Sequence, residues 1–312
     1  MSKVVVVALY HFLQDPIKDL LGCQRELLDH VENSSLRGTL LLAPEGINGT
    51  IAGLEKDIEL VLKKIRSVLG ITALSYKVSY AGENPFYRMK IKKKREIVTL
   101  GVGKIDVAKH TGKKVSADEW DALMGDPETI VVDTRNDYEI GIGTFPGAIN
   151  PNTKTFREFP EFVDKHLKAY KSKKVAMFCT GGIRCEKASA YMKEQGFDQM
   201  YQLDGGILKY MEDKRGQNHL WQGDCFVFDN RVSVNDMLSE GDFIQCFACR
   251  MPITEEDTRS TDYVEGISCP HCVSKSSDER KDRFRQRQKQ ILLARQRGEA
   301  HIGVDQRRKI VE

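Results

Sequence analysis

The chain has 312 residues, 40% hydrophobic and 30% charged, with Lys+Arg 48 against Asp+Glu 45 for a net charge of +3. At about 150 residues per domain this length makes two or three domains, and the apolar fraction excludes wholesale disorder. So small a net charge identifies neither a nucleic acid nor a membrane partner, and no apolar run approaches the roughly 20 residues that span a bilayer, so a soluble protein is expected.

The chain opens on an apolar strand from Lys3 to Phe12. The run from Val4 to Leu9 reads as a buried strand and not a secretory signal, because no small-residue cleavage site follows it. A helix with Leu20, Leu21, Leu27, Leu28 and Val31 on one face comes next. Two strands, Gly38 to Ala43 and Thr50 to Gly53, flank a glycine-rich turn from Pro44 to Gly49. A second helix, Leu54 to Leu69, carries Ile58, Leu62 and Ile65 on one stripe, and a strand from Leu74 to Tyr80 follows. The order βαββαβ is ferredoxin-like and defines a unit over 1–95. Its end is the basic run Lys90 to Arg95, read as a connector that continues as an extended segment through 96–114.

The next unit, 115–217, opens with a helix near Ser116 to Met124, in which Ser116 and Glu119 have capping-box spacing. Strands follow at Thr129 to Asp133 and Val175 to Phe178, and a helix from Glu186 to Gln195 ends at Gly196. Such alternation predicts a parallel sheet with helices on its faces and a site at the carboxyl ends of the strands, where Asp133 and Cys179 stand. From 218 to 312 the character changes. Trp221 to Arg231 is short and extended, Cys246 to Cys272 is punctuated by cysteines, and Ser274 to Glu312 is polar and helix-prone.

Cys179-Thr180-Gly181-Gly182-Ile183-Arg184 follows a buried strand and opens a helix. Successive amides there can converge on the sulfur and on any anion it carries, and the two glycines let the backbone curl. A helix N-terminus and a nearby Arg184 guanidinium favour the thiolate, which makes Cys179 a candidate nucleophile. Cys185 is either a packing residue or a resolving thiol.

Cys246, Cys249, Cys269 and Cys272 form two CxxC pairs with 19 residues between them, a spacing suited to a closed, structural zinc site in a segment with little core of its own. His271 is an alternative ligand, and disulfide exchange an alternative use of the pairs. Cys23 and Cys225 read as packing residues. Paired CxxC motifs in a chain this long favour a reducing compartment, so a cytoplasmic location is expected.

Two basic clusters remain, Lys90, Lys92, Lys93, Lys94 and Arg95 in the first, and Arg280, Lys281, Arg283, Arg285, Arg287, Lys289, Arg295 and Arg297 in the second. Each is either a solvated face or a surface for a phosphate backbone. Phe86 and Tyr87 are either core residues or stacking platforms for single-stranded RNA. No flavin or nicotinamide fingerprint and no two-His-one-carboxylate pattern is found.

The C-x4-R loop, the stretch Asp133-Thr134-Arg135 with Glu139 and Gly143 to Ile149, and the turn Leu203-Asp204-Gly205-Gly206 resemble the rhodanese superfamily across much of 115–217. Phe145 and Pro146 depart from its pattern. This resemblance implies a persulfide on Cys179 stabilised by Arg184 and the amides of Thr180, Gly181, Gly182 and Ile183, with Asp133 and Arg135 bracing the loop. A phosphatase loop has one residue more and encloses phosphate. Over its whole length the chain resembles the oxygen-dependent tRNA uridine(34) hydroxylases, through Ala43 to Gly53, Arg95 to Gly101 and Cys179 to Lys187. That resemblance implies an acylphosphatase-like, ferredoxin-like N-terminal domain, a rhodanese domain and a Cys-rich C-terminal region. It also implies O2 as co-substrate and the tRNA anticodon loop as partner, with Cys179 essential. Two other readings stay open, a sulfurtransferase working through Cys179 and a non-enzymatic RNA-binding adaptor.

Overall fold

β-Branched residues in the run Val4 to Val7 make β1 (Val4–Phe12) an inner strand of the first sheet. The computed structural model describes residues 4–103 and 105–298; Lys3 and the basic tail beyond 298 lie outside the described residues. α1 (Leu20–Val31) starts at Asp19, whose carboxylate accepts the Gly22 N–H at 2.8 Å. β2 (Arg37–Ala43), β3 (Gly46–Gly53), α2 (Glu55–Leu69), β4 (Tyr76–Ala81) and β5 (Met89–Lys93) complete the domain. Its strand order is β4-β1-β3-β2-β5, antiparallel except for β5, which runs parallel to β2. Strand alternation sends Val7, Leu9, Leu40, Leu42, Ile47 and Ile51 to the helices, where Leu27, Ile58, Leu62 and Ile65 bury them. Ala8, Tyr10, Thr39, Leu41, Asn48 and Thr50 therefore face away from the helices.

Two expectations are corrected in this domain. The hairpin turn is only Pro44 and Glu45, because Gly46 is already paired with Phe12 and Ala43. Gly46 serves a close approach of strands: a Cβ there would lie 2.0 Å from the His11 carbonyl oxygen. The basic run is likewise not a connector. Lys90 and Lys92 belong to a fifth strand, in register with Thr39 and Leu41.

α3 (Val107–His110), β6 (Lys113–Val115), α4 (Ala117–Gly125), β7 (Thr129–Asp133), α5 (Asp137–Ile140), β8 (Gly143–Thr144), α6 (Phe159–Phe162), β9 (Lys174–Phe178), α7 (Ile183–Glu194), β10 (Gln199–Leu203) and α8 (Gly206–Asp213) build the middle domain. Its four-stranded sheet is parallel throughout in the order β6-β10-β9-β7. Ser116 and Glu119 form the capping box of α4. The connector is part of this domain, with Leu100 buried in one core and Val98, Val102 and Ile105 packed against it.

The remaining elements are β11 (Gln222–Gly223), β12 (Cys225–Phe226), β13 (Ser233–Val234), β14 (Ile244–Gln245), β15 (Pro252–Ile253), α9 (Glu255–Arg259) and α10 (Asp278–Gln296). The boundary expected at 218 is displaced. Trp221, Cys225, Val227, Val234 and Leu238 are buried with Trp120, Phe145 and Tyr210 on the second face of the middle sheet, and β11 pairs with β8. The Cys-rich unit therefore begins beyond Leu238, on a small core of Cys246, Ala248, Ile253, Cys269 and Cys272 backed by Tyr263 and Phe284. Among the described residues no helix is long and apolar enough to cross a membrane.

Candidate active site

Cys179 leaves β9 at its carboxyl end, and its Sγ accepts the N–H of Gly182 at 3.1 Å, with the Arg184 and Cys185 amides also turned to it. The first turn of α8 grips the loop from behind: Ile207 N–H donates to the Cys179 carbonyl at 3.0 Å, and Leu208 N–H to that of Thr180 at 3.1 Å. Gly206 makes that grip possible. Its φ is +69°, and a Cβ there would stand 2.4 Å from the Cys179 carbonyl oxygen.

Burial on its own pushes the Cys179 thiol up, but a hydrogen bond from the Cys185 thiol, the Arg184 charge and the amides outweigh it and hold the thiol well below its usual range. Cys185 moves the opposite way, raised by burial and by the negative sulfur beside it. The surroundings thus favour the thiolate at this position in a buried, donor-lined cradle, the form required of a nucleophile or a sulfur carrier.

Arg184 does less than the loop pattern suggests. Its guanidinium is bound through both outer nitrogens to the buried Glu139 carboxylate, at 2.6 and 2.8 Å, so most of its charge is compensated there. Despite complete burial Glu139 stays below the usual carboxylate range, held by Arg184, then Arg135 and the Asn136 N–H. Asp133 and Arg135 are paired with each other at 2.6 Å in the core, and Arg135 also donates to the carbonyls of Glu139 and Gly143. These four side chains form one buried frame behind the loop.

In front of the loop is a cleft of about 510 Å³, walled by the exposed face of the N-terminal sheet. Thr180, Gly181, Ile183 and Arg184 line it with Cys179, and Thr39, Leu41, Asn48, Lys77 and Lys94 come from the opposite wall. Phe86 and Phe156 also line it, and Phe228 stands at its rim, 57% exposed. Tyr10 donates to Glu186 at 3.2 Å and packs on Gly182, where a Cβ would come within 2.9 Å of its hydroxyl. Tyr10 and Lys77 went unnoticed in the sequence, because the signal is a fold-level one: alternate positions of a strand on the sheet face that the helices leave uncovered.

The docking of the two domains explains why the segments quoted for the resemblance occur together. Lys187, one turn into α7 and nearly fully buried, donates to Glu45 at 2.8 Å, Glu96 at 2.7 Å and the Val98 carbonyl at 3.0 Å. Glu45 also accepts the Ile97 N–H, and Asn48 donates to the Ile97 carbonyl.

Comparison with known proteins agrees with this division. Residues 4–97 match the UPF0176 acylphosphatase-like domain, and residues 116–213 match the rhodanese-like domain. Together they make the architecture of the UPF0176 family. The structure is similar to the rhodanese-like domain of an Anabaena protein, at 16% identity, with 36% of this chain and 80% of that one covered and a TM-score of 0.31. It is also similar to a rhodanese-related protein from Thermoplasma volcanium, at 21% identity, covering 34% and 95%, with a TM-score of 0.28. A rhodanese-like domain protein from Staphylococcus aureus is similar at 23% identity, covering 31% and 90%, with a TM-score of 0.27.

Outside the rhodanese-like domain, the sulfurs of Cys246, Cys249, Cys269 and Cys272 all lie within 4.8 Å of one another. Cys249 and Cys269 are 3.8 Å apart and Cys269 and Cys272 3.7 Å. A tetrahedron with Zn–S bonds of about 2.3 Å has edges of about 3.8 Å, so the four thiols fit a metal such as zinc. His271 is turned to Asp257 at 3.2 Å and is not a member of the group.

The basic residues divide. Lys92, Lys93, Lys94, Arg95 and Arg283 are exposed. In-register pairing with Thr39 and Leu41 puts Lys90 and Lys92 on the cleft side of the sheet, and Lys93, paired with buried Leu42, on the other. Lys90 is pulled below its usual range by burial and then by the charges of Arg88, Lys92 and Arg250. Arg250, next to Cys249, is thus near enough to act on the basic strand through its charge. Arg287, expected to be free for a phosphate, instead donates to the carbonyls of Phe247 and Gly266 at 2.8 Å and fastens α10 to the Cys-rich unit.

Proposed function

We propose that this protein is a tRNA-modifying oxidoreductase that hydroxylates C5 of the wobble uridine with O2, in a reaction that depends on Cys179. The observation that carries the reading is the donor-lined Cys179, its thiol held below the usual range, among the residues lining a cleft large enough for a nucleobase and bordered by Lys94. Lys94, Lys92, Lys90 and Arg250 extend that border to the Cys-rich unit, where Arg280, Arg283 and Phe284 line an open pocket of about 390 Å³. Such a track suits a single-stranded loop whose phosphates meet cations while one base leaves the stack. Phe228 and Phe86 offer faces for that base.

Thiolate addition to C6 of a uracil makes C5 nucleophilic, which is the use this site has for an anionic sulfur. One oxygen atom of O2 then enters C5 as a hydroxyl and the other leaves as water, with two electrons and two protons from an external reductant, and loss of the C5 proton expels the Cys179 thiolate from C6 and restores the C5–C6 double bond. Cys246, Cys249, Cys269 and Cys272 would hold a zinc ion with four thiolates, a structural use that makes the Cys-rich unit an RNA-holding module.

The test is to digest total tRNA from a strain lacking this chain and other routes to the modification, and to measure 5-hydroxyuridine-derived nucleosides by mass spectrometry. Wild-type protein is expected to restore them and Cys179→Ala to leave them absent. Restoration by Cys179→Ala would overturn the reading.

The amides converging on Sγ favour a second reading, sulfur transfer through a Cys179 persulfide. It predicts turnover with a sulfane-sulfur donor and a thiol acceptor, and no change in tRNA.

A further inference from the structure

The loop pattern gives the positive charge beside Cys179 to Arg184 alone, and in the structure Arg184 shares that charge with Glu139. We propose that Lys77, on β4 of the N-terminal domain, is a second cation that, beside the Glu139-paired Arg184, balances the Cys179 sulfur, so that the thiolate site of the rhodanese-like domain is completed by the other domain. Lys77 lines the cleft together with Cys179, Gly181 and Tyr10, its Nζ donates to the Gly181 carbonyl at 3.3 Å, and it lies 5.3 Å from the centroid of the Tyr10 ring. That one contact both anchors the loop whose amides face the sulfur and delivers a charge to the same end of the cleft.

The neighbouring charges leave Lys77 this role. It faces Asp204, Cys179, Lys114 and Lys209. Asp204 is within 3.7 Å of Lys209, Lys209 is also bound to Asp213 at 2.7 Å, and Lys114 is bound to Glu186 at 2.8 Å. On its own side the sulfur faces Arg184, already paired with Glu139, together with the Cys185 thiol and the Tyr10 hydroxyl. Among the described residues Lys77 makes no carboxylate ion pair, and of the two negative groups that act on it Asp204 is shared with Lys209, so the Cys179 sulfur is the anion left to it inside the cleft. Burial lowers the affinity of Lys77 for its proton, and Asp204 and then Cys179 act to retain it. An ammonium group so enclosed is worth keeping only with an anion close by. Lys77 is a positioning residue: it acts on Cys179 and on the loop, whichever substrate the cleft takes.

The experiment titrates Cys179 in the full chain by the 13Cβ shift of labelled cysteine, assigned with Cys179→Ser, and by the rate of alkylation with iodoacetamide at that peptide. Lys77→Gln keeps a donor for the Gly181 carbonyl and removes the charge, Lys77→Arg keeps both, and Lys77→Met removes both. We expect the thiol pKa to rise by about one unit in Lys77→Gln, which slows alkylation about tenfold at pH values below both titrations, and to return in Lys77→Arg. Thermal unfolding identifies the folded variants, and Lys77→Met carries the comparison if Lys77→Gln does not fold. An unchanged thiol pKa in a folded, uncharged variant overturns the proposal. So does an equal shift in Lys77→Arg, which would assign the effect to packing and not to charge.

Discussion

The Cys179 loop and the Cys246–Cys272 cluster both gather thiols, and they handle negative sulfur by opposite means. In the loop one sulfur is anionic because three amides, a neighbouring thiol and a buried frame of paired charges surround it, inside a core that includes Phe159, Met177 and Met192. In the cluster four sulfurs crowd within 4.8 Å of one another over a core of five buried residues. Four thiolates this close repel one another, and a metal such as zinc would supply the charge that holds them together. The loop owes its charge to the fold, whereas the cluster would owe its fold to a bound metal's charge.

Metal removal should produce the largest contrast. A strong chelator, or Cys269→Ser, is expected to unfold the cluster, since four-thiolate sites supply on the order of 10 kcal/mol to such modules. Limited proteolysis should then cut between Ile244 and Gln296, and elemental analysis should find the metal lost. The main thermal transition should persist, because Trp221, Val234 and Leu238 anchor the preceding segment in the rhodanese-like domain. Joint melting of both regions would break the comparison.

Cys179→Ser reverses the experiment. An alkoxide is far harder to form than a thiolate, so activity should fall by more than about 100-fold while metal content and melting stay as in the wild type. A matched loss of metal would mean that the two regions are coupled.

How far all this was legible depended on whether the chemistry was local in sequence. The C-x4-R loop, the two CxxC pairs and the capping box at Ser116 are short-range patterns, and each could be read before any fold was known. β5 was missed because lysines at Lys90, Lys92 and Lys93 disguise an edge strand whose one buried residue is Ile91. The place of Trp221 to Leu238 was missed because these residues fill a core assembled from segments some hundred residues upstream. Tyr10 and Lys77 reach the loop only through domain docking, and that docking turns on Lys187 meeting Glu45 and Glu96 across the interface.

The frame behind the loop offers a test of intermediate size. Glu139→Gln leaves the buried Arg184 guanidinium without its carboxylate and should cost about 3–5 kcal/mol in denaturant unfolding. The same pair predicts a pH dependence. Burial acts to raise the Glu139 carboxyl, but Arg184, Arg135 and the Asn136 N–H place it below its unfolded value of about 4.3. Its contribution is therefore complete above about pH 4.3 and is lost as pH falls through the depressed folded value. Thermal melts across that window should show the loss in the wild type and a weaker one in Glu139→Gln. The cluster, tested with its metal in place, should instead follow the protonation of thiolates.

The smallest effect separates the two regions most sharply, because it asks whether a cysteine beside an anionic sulfur has to be a cysteine. Cys185 is kept protonated by burial and by the Cys179 anion, and its thiol donates to that anion. A thiol is a weak donor, so Cys185→Ala should raise the Cys179 titration by about half a unit and slow alkylation about threefold at pH values below it. Cys185→Ser puts a stronger O–H donor in the same place and should hold the titration at or below the wild-type value. In the cluster the matching change, Cys249→Ser, keeps a donor and removes a metal ligand, so it should lower metal affinity. Serine is thus expected to serve in the loop and fail in the cluster. Failure at both positions would mean that Cys185 acts through its sulfur chemistry and not as a hydrogen-bond donor.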